Sequence, residues 1–301
     1  MKKKLAFHWN VLKKTVESYT DSNVFIQSAG LAYSAIFSIP GLLIMIIWLA
    51  GIFFGEQVVR GEIIRQIQDV LGADAAESIQ NIIQKAMIEK DNFWMKAIGV
   101  LALIFGGTTL FFMLQKCLNS LWGIEPKPKQ AILKYVLDRA NSLGLILMIG
   151  LLMVITMVLS TIVTALNHII TQEFGLETYK LFQLVNFGVG FVLIMIIFGV
   201  IFKVLPDVKI QWKAVYAGAF LTAILFTIGK YLLTIYFAEF DPTSVYGTAG
   251  TIVLIMMWIN YSFLIILFGA EYTKVYAILK GYRFVPAEFA TWEDEEDAVI
   301  E

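Results

Sequence analysis

The sequence predicts an all-α polytopic membrane protein with about six spanning helices and both termini in the cytoplasm, and three observations carry that reading. Of 301 residues, 58% are hydrophobic and 16% charged, and mean hydropathy is +0.75; soluble domains hold roughly 45–50% apolar and about 25% charged residues. Apolar windows recur at 29–54, 94–115, 141–166, 181–202, 214–237 and 249–273, each able to supply the ~20 helical residues that cross a hydrocarbon core. Leu42 to Phe54 and Ile146 to Leu159 are continuously apolar, whereas barrel strands alternate apolar and polar positions.

Orientation follows from lysine and arginine, which are retained on the cytoplasmic side in short loops. Most of the 23 basic residues lie in alternate segments: Lys2, Lys3, Lys4, Lys13 and Lys14 before the first span; Lys116, Lys127, Lys129, Lys134 and Arg139 in the second loop; Lys203, Lys209 and Lys213 in the fourth; and Lys274, Lys280 and Arg283 after the last. The chain divides into a cytoplasmic amphipathic segment, 1–28, a six-helix membrane domain, 29–273, and a cytoplasmic tail, 274–301, with a long external loop at about 56–93.

The segments outside the spans carry their own periodicity. Leu5, Trp9, Leu12, Val16 and Tyr19 recur every three or four residues opposite lysines, which predicts a helix on the inner leaflet or one packed on the protein's own cytoplasmic side. In the external loop, Ile63, Ile64, Ile67 and Val70, then Ala75, Ile79, Ile82, Ile83 and Ala86, are split at Leu71-Gly72-Ala73-Asp74, predicting two short amphipathic helices. The N-terminus lacks an apolar core and a small-residue cleavage site, so no cleaved signal peptide is read. The acidic run Glu293-Asp294-Glu295-Glu296-Asp297 reads as a solvated terminus.

The net charge of -1 gives no nucleic-acid signal. One cysteine, Cys117, and two distant histidines, His8 and His168, offer no metal spacing, so neither a metal nor a cofactor is expected.

Polar groups inside spans are costly unless they face protein or water, so they mark candidate sites. Lys230 reads as a head-group contact or as the partner of Glu239, Asp241 or a neighbouring span. Asn260, beside Tyr261, reads as interhelical glue or as a solute contact. Glu271 and Lys274 share a helical face and can pair locally. Tyr33 and Ser34 precede a break at Pro40-Gly41, a hinge or a static kink whose freed carbonyls need a partner. Small residues at Gly106-Gly107-Thr108-Thr109 and Ala217-Gly218-Ala219 predict close helix contacts.

Taken together in order, Leu31-Ala32-Tyr33-Ser34, Asn119 with Leu121-Trp122, Leu205-Pro206-Asp207, Gly218-Ala219, Tyr246-Gly247 and Gly269-Ala270-Glu271 resemble the YihY/BrkB family over roughly residues 10–280. The resemblance implies a six-helix protein of the bacterial inner membrane. The family carries an old ribonuclease BN label and an association with virulence, serum resistance and movement of lipid or envelope precursors. The residues argue against a nuclease: no cytoplasmic segment clusters carboxylates or histidines for a catalytic metal. The basic second loop, with Lys127, Lys129 and Lys134, serves topology or attracts phosphate.

The expected function is therefore a transporter or flippase-like protein for a lipid or amphiphilic envelope molecule, not an enzyme. Lys230, Asn260, Tyr261, Glu271, Tyr33 and Ser34 are its candidate path or buried polar contacts, and Pro40 and Gly41 its candidate hinge. The alternative is a non-catalytic scaffold or envelope-assembly partner. Expected partners are membrane lipids and an anionic amphiphile, with a second copy or an envelope protein, and no nucleic acid.

Overall fold

The computed structural model describes residues 2–86, 93–127, 131–173, 176–239 and 250–293. Tyr246-Gly247, Asp241 and the acidic run beyond Glu293 lie outside them, as do the side chains of His168, Glu239 and Lys96.

Among the described residues six helices are long and apolar enough to span a membrane: α2 (Val24–Phe54), α5 (Phe93–Leu121), α6 (Ala131–Glu173), α7 (Leu176–Val204), α8 (Trp212–Glu239) and α9 (Gly250–Lys280). Three further described helices, α1 (Lys2–Asp21), α3 (Glu56–Leu71) and α4 (Ala73–Ala86), lie outside the spans. α1 and the described segment after α9 share one face, the terminal face, and α3 and α4 lie at the other. Several helices outrun the apolar windows; α6, Ala131–Glu173, begins ten residues before its window of 141–166 and ends seven residues after it.

α2 is the hub, packed on α3, α5, α6 and α9. Its contact with α5 is backbone to backbone, since Gly41 lies against Leu103 and Gly107 while Gly107 lies against Leu42. α2 runs through Pro40 as one continuous helix. On the far side α8 meets α9 through Gly218 and Gly269, where Thr273 and Thr222 fill the space a Cβ would need. Both contacts follow the small-residue rule for helices in lipid, where close approach replaces a hydrophobic drive.

α3 and α4 form the amphipathic pair expected at 56–93. Val59, Ile63, Ile79 and Ile83 turn inward, and Gly55 and Gly72, each at φ 87, make the breaks that an L side chain resists.

α1 packs on the terminal face. Phe7, Val11 and Leu12 meet Tyr272 and Val275 of α9 and Ala217 and Leu221 of α8. Tyr19 donates its hydroxyl to the Leu264 carbonyl at 2.9 Å, and its burial pushes the phenol up to about 12. The inward stripe is thus centred on Val11, and Trp9 and Val16, expected on the same face as Leu12, are 69% and 46% exposed. The helix is apolar on two sides, and a single stripe does not describe it.

Four short strands among the described residues, absent from the all-α expectation, knit this face together. β1 (Ile124–Pro126) pairs with β4 (Ala290–Trp292), and β2 (Val208–Ile210) with β3 (Phe284–Pro286), both antiparallel. The segment after α9 therefore straps the α5–α6 loop to the α7–α8 loop. Trp122, fully buried, donates its indole N–H to the Ala270 carbonyl at 3.1 Å and meets the Phe284 ring edge-on.

Candidate functional site

Polar side chains collect at two levels of the membrane domain and at its terminal face. The terminal-face group is built by two helical i, i+4 pairs, Gln115 and Asn119 on α5 and Lys134 and Asp138 on α6, with Asp207 between them. Pro206 ends α7 because a proline cannot continue the ladder, and the turn it makes delivers Asp207 to the two pairs. Asp207 and Asn119 bond reciprocally: the Asp207 amide N–H donates to Asn119 Oδ1 at 2.9 Å and Asn119 Nδ2 donates to Asp207 Oδ2 at 2.8 Å. Lys134 Nζ lies 2.6 Å from both Asp207 Oδ1 and Asp138 Oδ1. Gln115 Nε2 completes the cluster by donating to Asp138 Oδ1 at 3.1 Å.

The three charged side chains are only 9%, 10% and 13% exposed, so the pairings act in a low dielectric where each is strong and its loss costly. Two carboxylates face one ammonium, and the amide donors of Asn119, Gln115 and the Asp207 backbone offset the excess negative charge. Lys134 is thereby committed to two carboxylates. It is no loose phosphate-attracting loop lysine, which corrects half of the sequence expectation for that loop. Next to it, Arg139 lies over the Phe105, Phe112 and Tyr135 rings and donates to the Thr108 hydroxyl. Among the described residues no three His, Cys, Asp or Glu side chains come together as a metal needs.

The second level lies between α8 and α9. Gly229 is buried beneath Tyr261, whose ring and hydroxyl occupy the space a Cβ would take. Gly229 and Tyr261 both lie about 15 Å from the ends of their helices opposite the terminal face, taking ~1.5 Å per residue. Lys230, next along α8, is half-buried. No ion pair of Lys230 occurs among the described residues; Glu239 and Asp241, its expected partners, fall outside them. Asn260 Oδ1 is enclosed and accepts no hydrogen bond.

The third group is Glu271, 1% exposed on α9, whose Oε1 accepts the Ser18 hydroxyl of α1 at 2.6 Å. The expected local pair with Lys274 is not formed. Lys274 Nζ donates instead to the Leu121 carbonyl at 3.4 Å.

The structure thus sets Gly229, the residue before Lys230, against Tyr261, with Asn260 adjacent in sequence, and puts Glu271 about 15 Å away along α9. Tyr33 does not line an interior path: it is 61% exposed, its ring beside Phe37, while Ser34 is half-buried. Asp138 and Gln115 were not singled out from sequence, although polar i, i+4 pairs at the ends of two neighbouring spans are a readable signal.

The quoted motifs converge on this face: Asn119 on Asp207, Trp122 on Ala270, Gly218 on Gly269. Comparison with known proteins agrees. The chain is 27% identical over 264 residues to a UPF0761 membrane protein of Histophilus somni, covering 86% of this chain and 88% of that one. It is 26% identical over 274 residues to one of Aggregatibacter aphrophilus, covering 89% and 92%, and 29% identical over 255 residues to one of Haemophilus influenzae, covering 83% and 88%. No solved structure matches. The profile of the family described as virulence factor BrkB matches residues 15–288, and the chain belongs to that family.

Proposed function

We propose that this integral membrane protein moves an amphiphilic molecule with an anionic head group across the bilayer, without a catalytic step. The observation that supports this best is the set of polar residues at the depth of the Gly229–Tyr261 contact. Asn260 offers an enclosed oxygen with no donor, beside Tyr261, whose hydroxyl packs on Gly229, and one residue further on α8 stands half-buried Lys230. A helix pair that only needed to pack would fill this depth with small or apolar residues, because unsatisfied polar groups in hydrocarbon are costly. In this reading Lys230 attracts the head group and Asn260 and Tyr261 line its path.

The test is reconstitution in liposomes with fluorescent anionic and zwitterionic lipids. Wild-type protein is expected to move the anionic probe. Lys230→Ala is expected to slow it about tenfold or more, since a hydrogen bond to a charged group contributes about 1.5–3 kcal/mol. Wild-type rates in both Lys230→Ala and Asn260→Ala overturn the residue assignment. No movement of any lipid class favours the scaffold reading, which would use the exposed Trp9 and Val16 of α1.

The reading places the terminal face in the cytoplasm of a bacterial inner membrane, on the distribution of lysine and arginine. In a Cys117→Ser background, a cysteine at exposed Glu77 of α4 is expected to react with an impermeant thiol reagent added outside intact inner-membrane spheroplasts, and one at exposed Lys13 of α1 to remain protected. The opposite labelling pattern reverses the topology.

A further inference from the structure

Glu271 is the one carboxylate among the described residues with a fully enclosed oxygen that meets no donor. Oε1 is bonded to Ser18, but Oε2 is enclosed and meets no donor. Lys274, three residues further along α9, turns its ammonium to the Leu121 carbonyl and forms no ion pair with Glu271. Of the charged side chains at this face, Lys13, Lys14 and Glu17 of α1, Lys116 of α5, Lys213 of α8 and Arg283 after α9 are exposed, Lys203 of α7 donates to the Ile210 carbonyl, and the buried Lys134 is held by Asp138 and Asp207. An ionised carboxylate so enclosed, with one oxygen unpaired, is the arrangement that folded proteins avoid by taking up a proton. Asp138 and Asp207 escape this because each has lysine and amide donors; Glu271 has one hydroxyl.

We propose that Glu271 is a proton-binding site, with the proton on Oε2 and α1 as its cover. Three contacts hold that cover in place: Ser18 to Glu271 itself, Tyr19 to the Leu264 carbonyl, and His8 Nδ1 to the Tyr272 hydroxyl at 3.1 Å, one residue from the site. Water reaches Oε2 when α1 lifts, and the proton is then exchanged with the terminal-face solution. As the coupling ion of a transporter this proton rests on the transport reading; the site itself does not.

The experiment therefore avoids any lipid substrate. Infrared spectra of the purified full chain are recorded in detergent at a pH well above the ordinary carboxylate range. The expected result is a protonated-carboxyl stretch that survives in the wild type, is lost in Glu271→Gln, and is displaced in Ser18→Ala, where the acid keeps its proton but Oε1 loses its donor. Ser18→Ala retains the carboxyl group and serves where Glu271→Gln fails to fold. A wild-type spectrum with no such band, or a band that Glu271→Gln retains or Ser18→Ala leaves in place, overturns the proposal. None of these outcomes depends on whether a lipid moves, so failure here and failure of transport are distinguished.

Discussion

Asp207→Ala is expected to destabilise the protein by about 3–5 kcal/mol, the range for removing one partner of a buried ion pair. The loss has three parts. Lys134 keeps only Asp138; both ends of the Asn119 amide lose their partner carboxylate or its fixed backbone; and Gln115 keeps a single acceptor. Asp207 also sits next to β2, and the Ala287 amide donates to its carbonyl at 2.8 Å, so loosening this turn loosens the strap that joins the two loops. Thermal unfolding in detergent, followed by circular dichroism, measures the effect. Asp207→Asn, which keeps shape and polar character but not charge, is expected to fall between wild type and alanine. Lys134→Met is expected to be nearly as damaging as Asp207→Ala, because it leaves two neighbouring carboxylates uncompensated. The two substitutions combined should cost clearly less than their sum, since residues in one network are not additive. Equal unfolding midpoints for wild type and Asp207→Ala would show that the cluster is solvated and carries no stability.

The spans were legible because lipid imposes a strict rule: a helix must be apolar for about 20 residues whatever else it does. The same rule made Gly41, Gly107 and Gly218 readable as contact points, and the periodic isoleucines around Gly72 readable as two helices. What was not legible depends on partners distant in sequence. Lys134 looks like any loop lysine until α6 is extended to Ala131 and Asp207 is brought beside it, 73 residues away. Glu271 and Lys274 satisfy the local pairing rule, yet tertiary contacts with Ser18 and Leu121 take both side chains. Tyr33, read from its place beside Ser34 near a helix break, turns outward because Leu31, Ala32 and Ala35 occupy the buried side of α2. The three-residue strands carry no period at all. They exist because the segment after α9 lies across two loops, a fact of topology and not of composition. For Lys230, Asn260 and Tyr261 residue type and depth are readable from the spans, and the structure adds the Gly229 contact of Tyr261 and the enclosed Asn260 oxygen.

The α2–α5 contact yields the second large effect, and it discriminates between two adjacent glycines. A Cβ at Gly41 would lie 2.9 Å from both the Gly107 nitrogen and the Leu103 carbonyl oxygen, and one at Gly107 would lie 2.9 Å from the Leu42 nitrogen. These are backbone atoms, which no rotamer change can move. Gly41→Ala and Gly107→Ala must therefore push α2 and α5 apart, at about 1–3 kcal/mol each. Gly106 has nothing within 4 Å of the same position, so Gly106→Ala is expected to be neutral or to gain up to about 0.5–1 kcal/mol from reduced backbone freedom. Unfolding in detergent separates the three, and equal midpoints for Gly106→Ala and Gly107→Ala would refute the contact. The result also bears on Pro40. Its ring leaves the Ile36 carbonyl without its helical donor, which invites bending, yet the next residue is locked to α5 at backbone distance. A contact this close does not slide by small steps. Any bend at Pro40 either carries α5 with α2 as one body or opens the Gly41–Gly107 seam entirely, and a substitution that widens the seam in advance favours the open arrangement.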